Sequence, residues 1–209
     1  MERFQKRLQD VKQLEEAIGL PSELVIKKQL AALDSHMVSF IAESPFMVLG
    51  TYGSNGCCDV SPRGDLPAVA TVLDPKTLII PDRPGNRRTD SLRNIIETGK
   101  VGLLFLVPGL GETLRINGRA CVTDDEELLT TLAAGDKPPV VGIGVEVEEC
   151  YFQCAKALIR SKLWSDHAER ADATSRHFAE ILIDQTGIED ESIESLGQQI
   201  EESYKHRLY

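Results

Sequence analysis

The sequence is short of positive charge. Its 209 residues carry 33 acidic and 23 basic side chains, a formal net charge of −10. A general nucleic-acid binder needs a basic face, so no nucleic-acid partner is expected. A small anionic ligand is not excluded, because one local cationic pocket is enough. No run of 18 apolar residues occurs, and no membrane span is expected. The opening stretch, MERFQKRLQDVKQLEEAIGL, is charged throughout and lacks the apolar core of a signal peptide, which points to the cytoplasm. There is no C-x-x-C. The five cysteines (57, 58, 121, 150 and 154) are an odd set for a disulfide framework. No Cys/His cluster accompanies Cys150 and Cys154, so no metal site is expected. Cys154 reads as a small buried hydrophobe, with a redox-active or ligand-contacting thiol as the other reading. Repeats and low-complexity segments are absent.

What is present is ordinary for a globular protein: 42% hydrophobic and 27% charged residues. The length suits one large domain or a domain with a helical appendage. Phe4, Leu8, Val11, Leu14 and Ile18 predict an amphipathic helix over residues 2–18, broken by Gly19 and Pro21. A second helix is expected from the N-cap Ser22 through Leu24, Ile26, Leu30, Leu33 and Met37, ending before Pro45. The period then changes. FMVLGTYG and CCDVS flank an SNG turn, and AVATVLD and TLIIPD flank a Pro-Lys link. KVGLLFLVPG and ETLRINGRACVTD form a further pair, followed by VVGIGVEVEECYFQ with apolar and acidic residues alternating. RTDSLRNIIETG interrupts these as a short helix ending at Gly99. CAKALIRSKLW, SRHFAEILIDQTG and IESLGQQIEESYKHRLY return to helix. Tight hairpins mean antiparallel pairing. The resulting expectation is a mainly β fold with flanking helices, built on a six-stranded antiparallel barrel. Residues 1–34 would form an N-terminal helical segment, 35–165 the barrel domain and 166–209 a helical tail.

One stretch opposes the overall charge. RPGNRR, residues 83–88, places three arginines on a Pro-Gly turn at the entrance of a helix. Asn86 reads as the N-cap. Cations are unfavourable there by a few tenths of a kcal/mol each, because the dipole end is already positive. A phosphate reverses the sign. Free N–H groups, the arginine forks and the hydroxyls of Thr89 and Ser91 could then converge on one anion. Against this, such arginines often pair with neighbouring acids, here Asp82 and Asp90.

PDRPGNRRTDSLRNI followed by VGLLFLVPGLGETLRINGRACVT resembles the pyridoxamine 5'-phosphate oxidase-like family of FMN-binding split barrels, over about residues 35–165. The likeness is to a flavoprotein branch marked by SPRGD and RPGNRR rather than to the vitamin-B6 enzyme. It implies FMN as cofactor, with its phosphate held by Arg87 and Arg88, assisted by Asn86, Arg83 and Ser91. Ala70, Thr71 and Val72 would lie along the ring or ribityl chain through backbone groups. Thr113 falls where the oxidase has a glutamine reaching the flavin. Arg115-Ile116-Asn117-Gly118 matches an R-x-x-G stretch under it. The resemblance also implies a homodimer with FMN at the subunit interface, where Lys156, Arg160 and Trp164 are candidates for a covering segment. Two oxidase features are missing. AVATVLD replaces the Arg-x-Val-Leu-Leu-Lys strand, and no Arg-Leu-His-like stretch for substrate phosphate is found near the C-terminus.

DVSPRGD, residues 59–65, reads either as a solvent loop with an internal Arg–Asp pair or as part of the site. In the latter, Ser61 and Arg63 orient a small substrate bearing a carboxylate or phosphate. Ser61 is not a hydrolase nucleophile, since there is no G-x-S-x-G elbow and no evident histidine partner. His36, His167, His177 and His206 fall in expected helices or tail, as surface or packed residues. The implied activity is FMN-dependent oxidoreduction with a small-molecule substrate or nicotinamide donor. The alternative is a non-catalytic flavin- or haem-binding or redox-sensing module.

Overall fold

From Phe46 to Leu106 and again from Thr113 to Gln153, buried side chains mostly alternate with more exposed ones along each long strand. Successive strand residues point to opposite faces, so one face of each strand is committed to a core. The computed structural model, described here over residues 3–165, 178–187 and 192–206, arranges these strands in one antiparallel sheet. The strands are β1 (Phe46–Tyr52), β2 (Cys58–Gly64), β3 (Thr71–Asp74), β4 (Thr77–Pro81), β5 (Lys100–Leu106), β6 (Thr113–Thr123) and β7 (Gly142–Gln153). Their order is β2-β1-β5-β6-β7-β4-β3, with every neighbouring pair antiparallel. The helices are α1 (Val11–Ile18), α2 (Glu23–Lys27), α3 (Ser35–Ala42), α4 (Asp90–Thr98), α5 (Glu126–Thr130), α6 (Lys156–Ser161), α7 (Phe178–Thr186) and α8 (Ile193–His206). None is long and apolar enough to cross a membrane among the described residues.

The sheet closes on itself as a split barrel. Met47 and Leu49 of β1, Leu103 and Phe105 of β5, Leu114 and Ile116 of β6, Ile143 and Val145 of β7, and Leu78 and Ile80 of β4 all join one buried cluster. α3 adds Met37, Phe40 and Ile41, and α4 adds Ile95. Chain length demands the curl. β2 and β3 are consecutive in sequence yet lie at opposite edges of the sheet. Six gaps of about 4.8 Å would separate those edges by about 29 Å in a flat sheet. The segment from residue 64 to residue 71 reaches at most about 25 Å.

Several boundaries differ from expectation. The sheet has seven strands, one for each β segment read from the sequence and so one more than the six-stranded barrel expected; the short β3 pairs with β4 through Thr71↔Ile79 and Val72↔Leu78, as the Pro-Lys hairpin implies. It covers only the second half of AVATVLD. β2 continues through Pro62, Arg63 and Gly64 instead of turning at Arg63, because each pairs with β1 (Val48, Met47 and Phe46). α1 starts at Val11 rather than residue 2, where Asp10 accepts from the Gln13 N–H at 2.8 Å. The helix expected from 22 to 37 is two helices. Between them Leu30 exchanges both backbone hydrogen bonds with Cys150 of β7, and Lys28 donates to the Phe152 carbonyl. Asp34 then caps α3 by accepting from the Met37 N–H at 2.8 Å. α5 was not anticipated. CAKALIRSKLW is helical only over α6, and residues 175–177 and 207–209 of the two tail helices lie outside the described residues.

Gly118 is required by geometry. The β6–β7 register shifts between Asn117 and Gly118, and a Cβ there would sit 2.1 Å from the Glu146 carbonyl oxygen. Backbone cannot yield as a side chain does. Gly118→Ala is expected to cost about 3 kcal/mol, the upper range for overpacking. Urea titration against wild type measures it.

Candidate functional site

Asp59, Ser61 and Arg63 alternate along β2, so all three side chains leave the same face. Val60, between them, is 68% exposed. Opposite this face the chain leaves β4 at Pro81 and runs through residues 82–89 into α4. These two stretches, with residues 137–140, enclose a cleft of about 660 Å³. It brings together Ser61, Arg63, Arg83, Asn86, Arg87, Arg88 and Ser91, seven of the residues singled out in the sequence.

The cleft's floor is an anion-shaped turn. Asn86 does not cap a helix; its Oδ1 accepts from the Arg88 N–H at 3.1 Å, and α4 begins only at Asp90. Arg87 and Thr89 are left-handed, with φ of 60° and 58°, while Arg88 and Asp90 between and after them are not. Alternation of φ sign turns successive N–H groups to one side and makes a concavity suited to anions. A left-handed non-glycine residue costs roughly 1–2 kcal/mol, and such strain gathers at functional sites. Thr89 is the N-cap of α4 but makes no side-chain cap bond, which leaves that helix end to other partners.

The cationic side chains divide by partner. Arg63 donates through Nη1 to Asp82, and Arg83 donates to Asp65 at 2.6–2.7 Å and to the Leu132 carbonyl at 2.8 Å. These crossed pairs tie the end of β2 to the start of the 82–89 loop. The alternative of an Arg63–Asp65 pair within one loop is not what forms. Arg63 Nε is buried with no hydrogen-bond partner. Arg88 shares its Nε–H with Asp90 at 2.9 Å, an exposed pair. Arg87 is exposed and has no ion pair or hydrogen bond among the described residues. Five cationic and three acidic side chains line the cleft, and Asp65, just outside the lining, neutralises Arg83.

A hydroxyl chain lies at the other wall. Ser91, 3% exposed on the first turn of α4, donates to Asp59 Oδ2 at 2.5 Å and stands 3.1 Å from Ser61 Oγ. Thr51 Oγ1 reaches the same Asp59 oxygen at 3.4 Å and accepts from Asn94 at 3.0 Å. Asp59, Asp82 and Lys137 were not assigned to the site from sequence. The D-x-S-x-R alternation over 59–63 was the available signal for Asp59.

The other anticipated residues stand elsewhere. Ala70 is 4% exposed, and Thr71 and Val72 open β3. Thr113, 4% exposed, starts β6 and donates to Gln153 Oε1 at 3.4 Å. Lys156 and Arg160 are exposed on α6, and Trp164 donates to the Leu110 carbonyl. None of these lines the cleft. A second hollow of about 330 Å³ lies on the outer sheet face, where Arg115 and Asn117 meet Gly102, Leu104 and Gln153. Val60 borders both hollows. His36 and His206 are exposed, and His167 and His177 lie outside the described residues.

Thiol chemistry separates one cysteine from the rest. Cys57, Cys58, Cys121 and Cys154 are exposed, so Cys154 is not the buried hydrophobe expected. Cys150 is buried, and burial, with Asp34 and Glu149 adding, pushes its thiol up to about 11. The thiolate is the reactive form. Alkylation at pH 8 is therefore expected to label four cysteines in the native protein and five in denaturant, read by intact mass. No grouping of metal-ligating side chains occurs among the described residues.

Comparison with solved structures finds partial matches. A Group A Streptococcus HupZ structure is 18% identical, covering 58% of this chain and 94% of that one with a TM-score of 0.49. A putative pyridoxamine 5'-phosphate oxidase from Lactobacillus delbrueckii is 25% identical, covering 59% and 98% with a TM-score of 0.46. An FMN-binding protein from Syntrophomonas wolfei is 11% identical, covering 68% and 95% with a TM-score of 0.42. No curated protein matches. The assignment rests on a family model, pyridoxamine 5'-phosphate oxidase, that matches residues 33–154, from the loop before α3 to the end of the seventh strand. With more than half its length inside that model and the barrel built from the matched part, the chain belongs to the pyridoxamine 5'-phosphate oxidase family.

Proposed function

We propose that the protein is an FMN-dependent oxidoreductase whose cofactor phosphate sits in the turn of residues 86–89. The observation that carries this is Arg87, exposed in the cleft of an acidic chain with no ion pair or hydrogen bond among the described residues. The residues fit a phosphate ester. Arg87 and Arg88 supply guanidinium donors, the turn alternates in φ sign, and the uncapped end of α4 adds backbone N–H groups. Arg83 takes part indirectly, holding the loop to Asp65.

FMN, when bound, supplies two-electron hydride chemistry. The chain's own residues bind and orient. Arg63 and Ser61, on β2, face the route from the cleft past Val60 towards the outer hollow. That hollow, with Arg115 and Asn117, is where the uncharged ring extends. A second copy of the chain covers it, and Lys156, Arg160 and Trp164 belong to the covering segment. Ala70, Thr71, Val72 and Thr113 contribute through backbone and packing. Residues 35–165 form the ligand-binding unit, in a cytoplasmic protein.

The test is an absorbance spectrum of purified protein with mass measurement of the released ligand. A band near 450 nm and FMN by mass are expected. Haem by mass, or a colourless protein that takes up no added FMN, overturns the assignment. Steady NADH or NADPH consumption with an added acceptor separates an enzyme from a redox module, which bleaches once. Gel filtration is expected to give a dimer, and flavin should leave as the dimer is diluted apart.

A further inference from the structure

We infer that Ser61 is a hydrogen-bond acceptor for the uncharged part of the cleft's ligand, held in that polarity by Ser91 and Asp59. This rests on the flavin assignment above. The direction of the chain follows from proton counting. A carboxylate offers acceptors only, and each serine hydroxyl has one proton. Ser91 Oγ lies 2.5 Å from Asp59 Oδ2, the distance of a charge-assisted O–H···O⁻ bond, so its proton is committed there. Ser91 can then only accept from Ser61, 3.1 Å away. The Ser61 proton points inward, which leaves its oxygen only as an acceptor towards the cleft it lines.

An outward lone pair repels a phosphate oxygen and attracts an N–H or O–H. The cleft is thus polarised along its length: donors at Arg87 and Arg88, an acceptor at Ser61. Ser91 is committed away from the phosphate, and Ser61 selects for a ligand hydroxyl or ring N–H instead of a second anion. Asp59 acts through Ser91 and is a positioning residue.

The wild-type protein and Asp59→Asn, Ser61→Ala, Ser61→Thr and the Asp59→Asn/Ser61→Ala double variant are titrated with FMN and with riboflavin, which lacks the phosphate. Asparagine removes the carboxylate charge that commits the Ser91 proton, so the direction of the chain is no longer fixed. Asp59→Asn and Ser61→Ala are each expected to weaken both ligands about tenfold, the size of one hydrogen bond. The double variant should be no weaker than either single one, and Ser61→Thr, which keeps the hydroxyl, should recover most of the affinity that Ser61→Ala loses. Weakening of FMN alone, multiplying effects in the double variant, or no effect overturns the inference. So does a wild type that binds FMN but not riboflavin. If Asp59→Asn fails to fold, Ser91→Ala cuts the same chain and is read in its place. Wild type that binds neither ligand overturns the flavin assignment itself, before any variant is compared.

Discussion

Alanine at both Arg87 and Arg88 is expected to give a colourless protein that still folds. Neither side chain supports the barrel: both are exposed, Arg87 has no partner among the described residues and Arg88 meets only exposed Asp90. Each hydrogen bond to a charged group is worth about 1.5–3 kcal/mol. Losing two, with Arg88 already shared, should raise the FMN dissociation constant by roughly 100-fold, about 3 kcal/mol. Arg87→Ala alone should do more than Arg88→Ala alone. Riboflavin affinity should hardly change, since it has no phosphate to lose. Flavin content after desalting, with circular dichroism as the folding control, decides it. Retained FMN would remove the phosphate assignment.

Asp65→Asn carries the largest expected loss of stability. Asp65 is 5% exposed at its side chain and Arg83 16%, so the pair is largely desolvated. Removing one member of such a pair leaves a buried charge uncompensated and costs about 3–5 kcal/mol. Asparagine keeps an oxygen for the Leu66 N–H, now at 2.9 Å, so the change isolates the charge. We expect about 3 kcal/mol and a fall in Tm of roughly 10 °C. The exposed Lys100–Glu148 pair is the contrast; breaking it should cost less than about 1 kcal/mol. Adding Arg83→Gln to Asp65→Asn should recover part of the loss, because the stranded cation goes with it. Equal losses from Asp65→Asn and from breaking the Lys100–Glu148 pair would refute this account of the clasp.

How much of this was legible without coordinates depends on distance along the chain. The barrel strands were, because their alternation is local. The arginine turn was too, since RPGNRR sets charge against a helix end within one short segment. The break between α2 and α3 was not. Leu24 to Met37 keeps helical spacing, and only the far strand at Cys150 draws Leu30 out of it. Ser91 was legible as a first-turn hydroxyl but not as Asp59's partner, 32 residues away. That meeting follows from strand order, which hairpin spacing does not encode. For the same reason the sequence offered Arg63 a partner in Asp65, two residues on, when the fold supplies Asp82 from the opposite edge.

The short crossing from residue 64 to residue 71 works as a drawstring for the sheet. Its length caps how far apart the two borders can lie, and the cleft opens between β2 and the loop that leaves β4. A few residues spliced into that cord would leave all seven strands in register and still slacken the mouth.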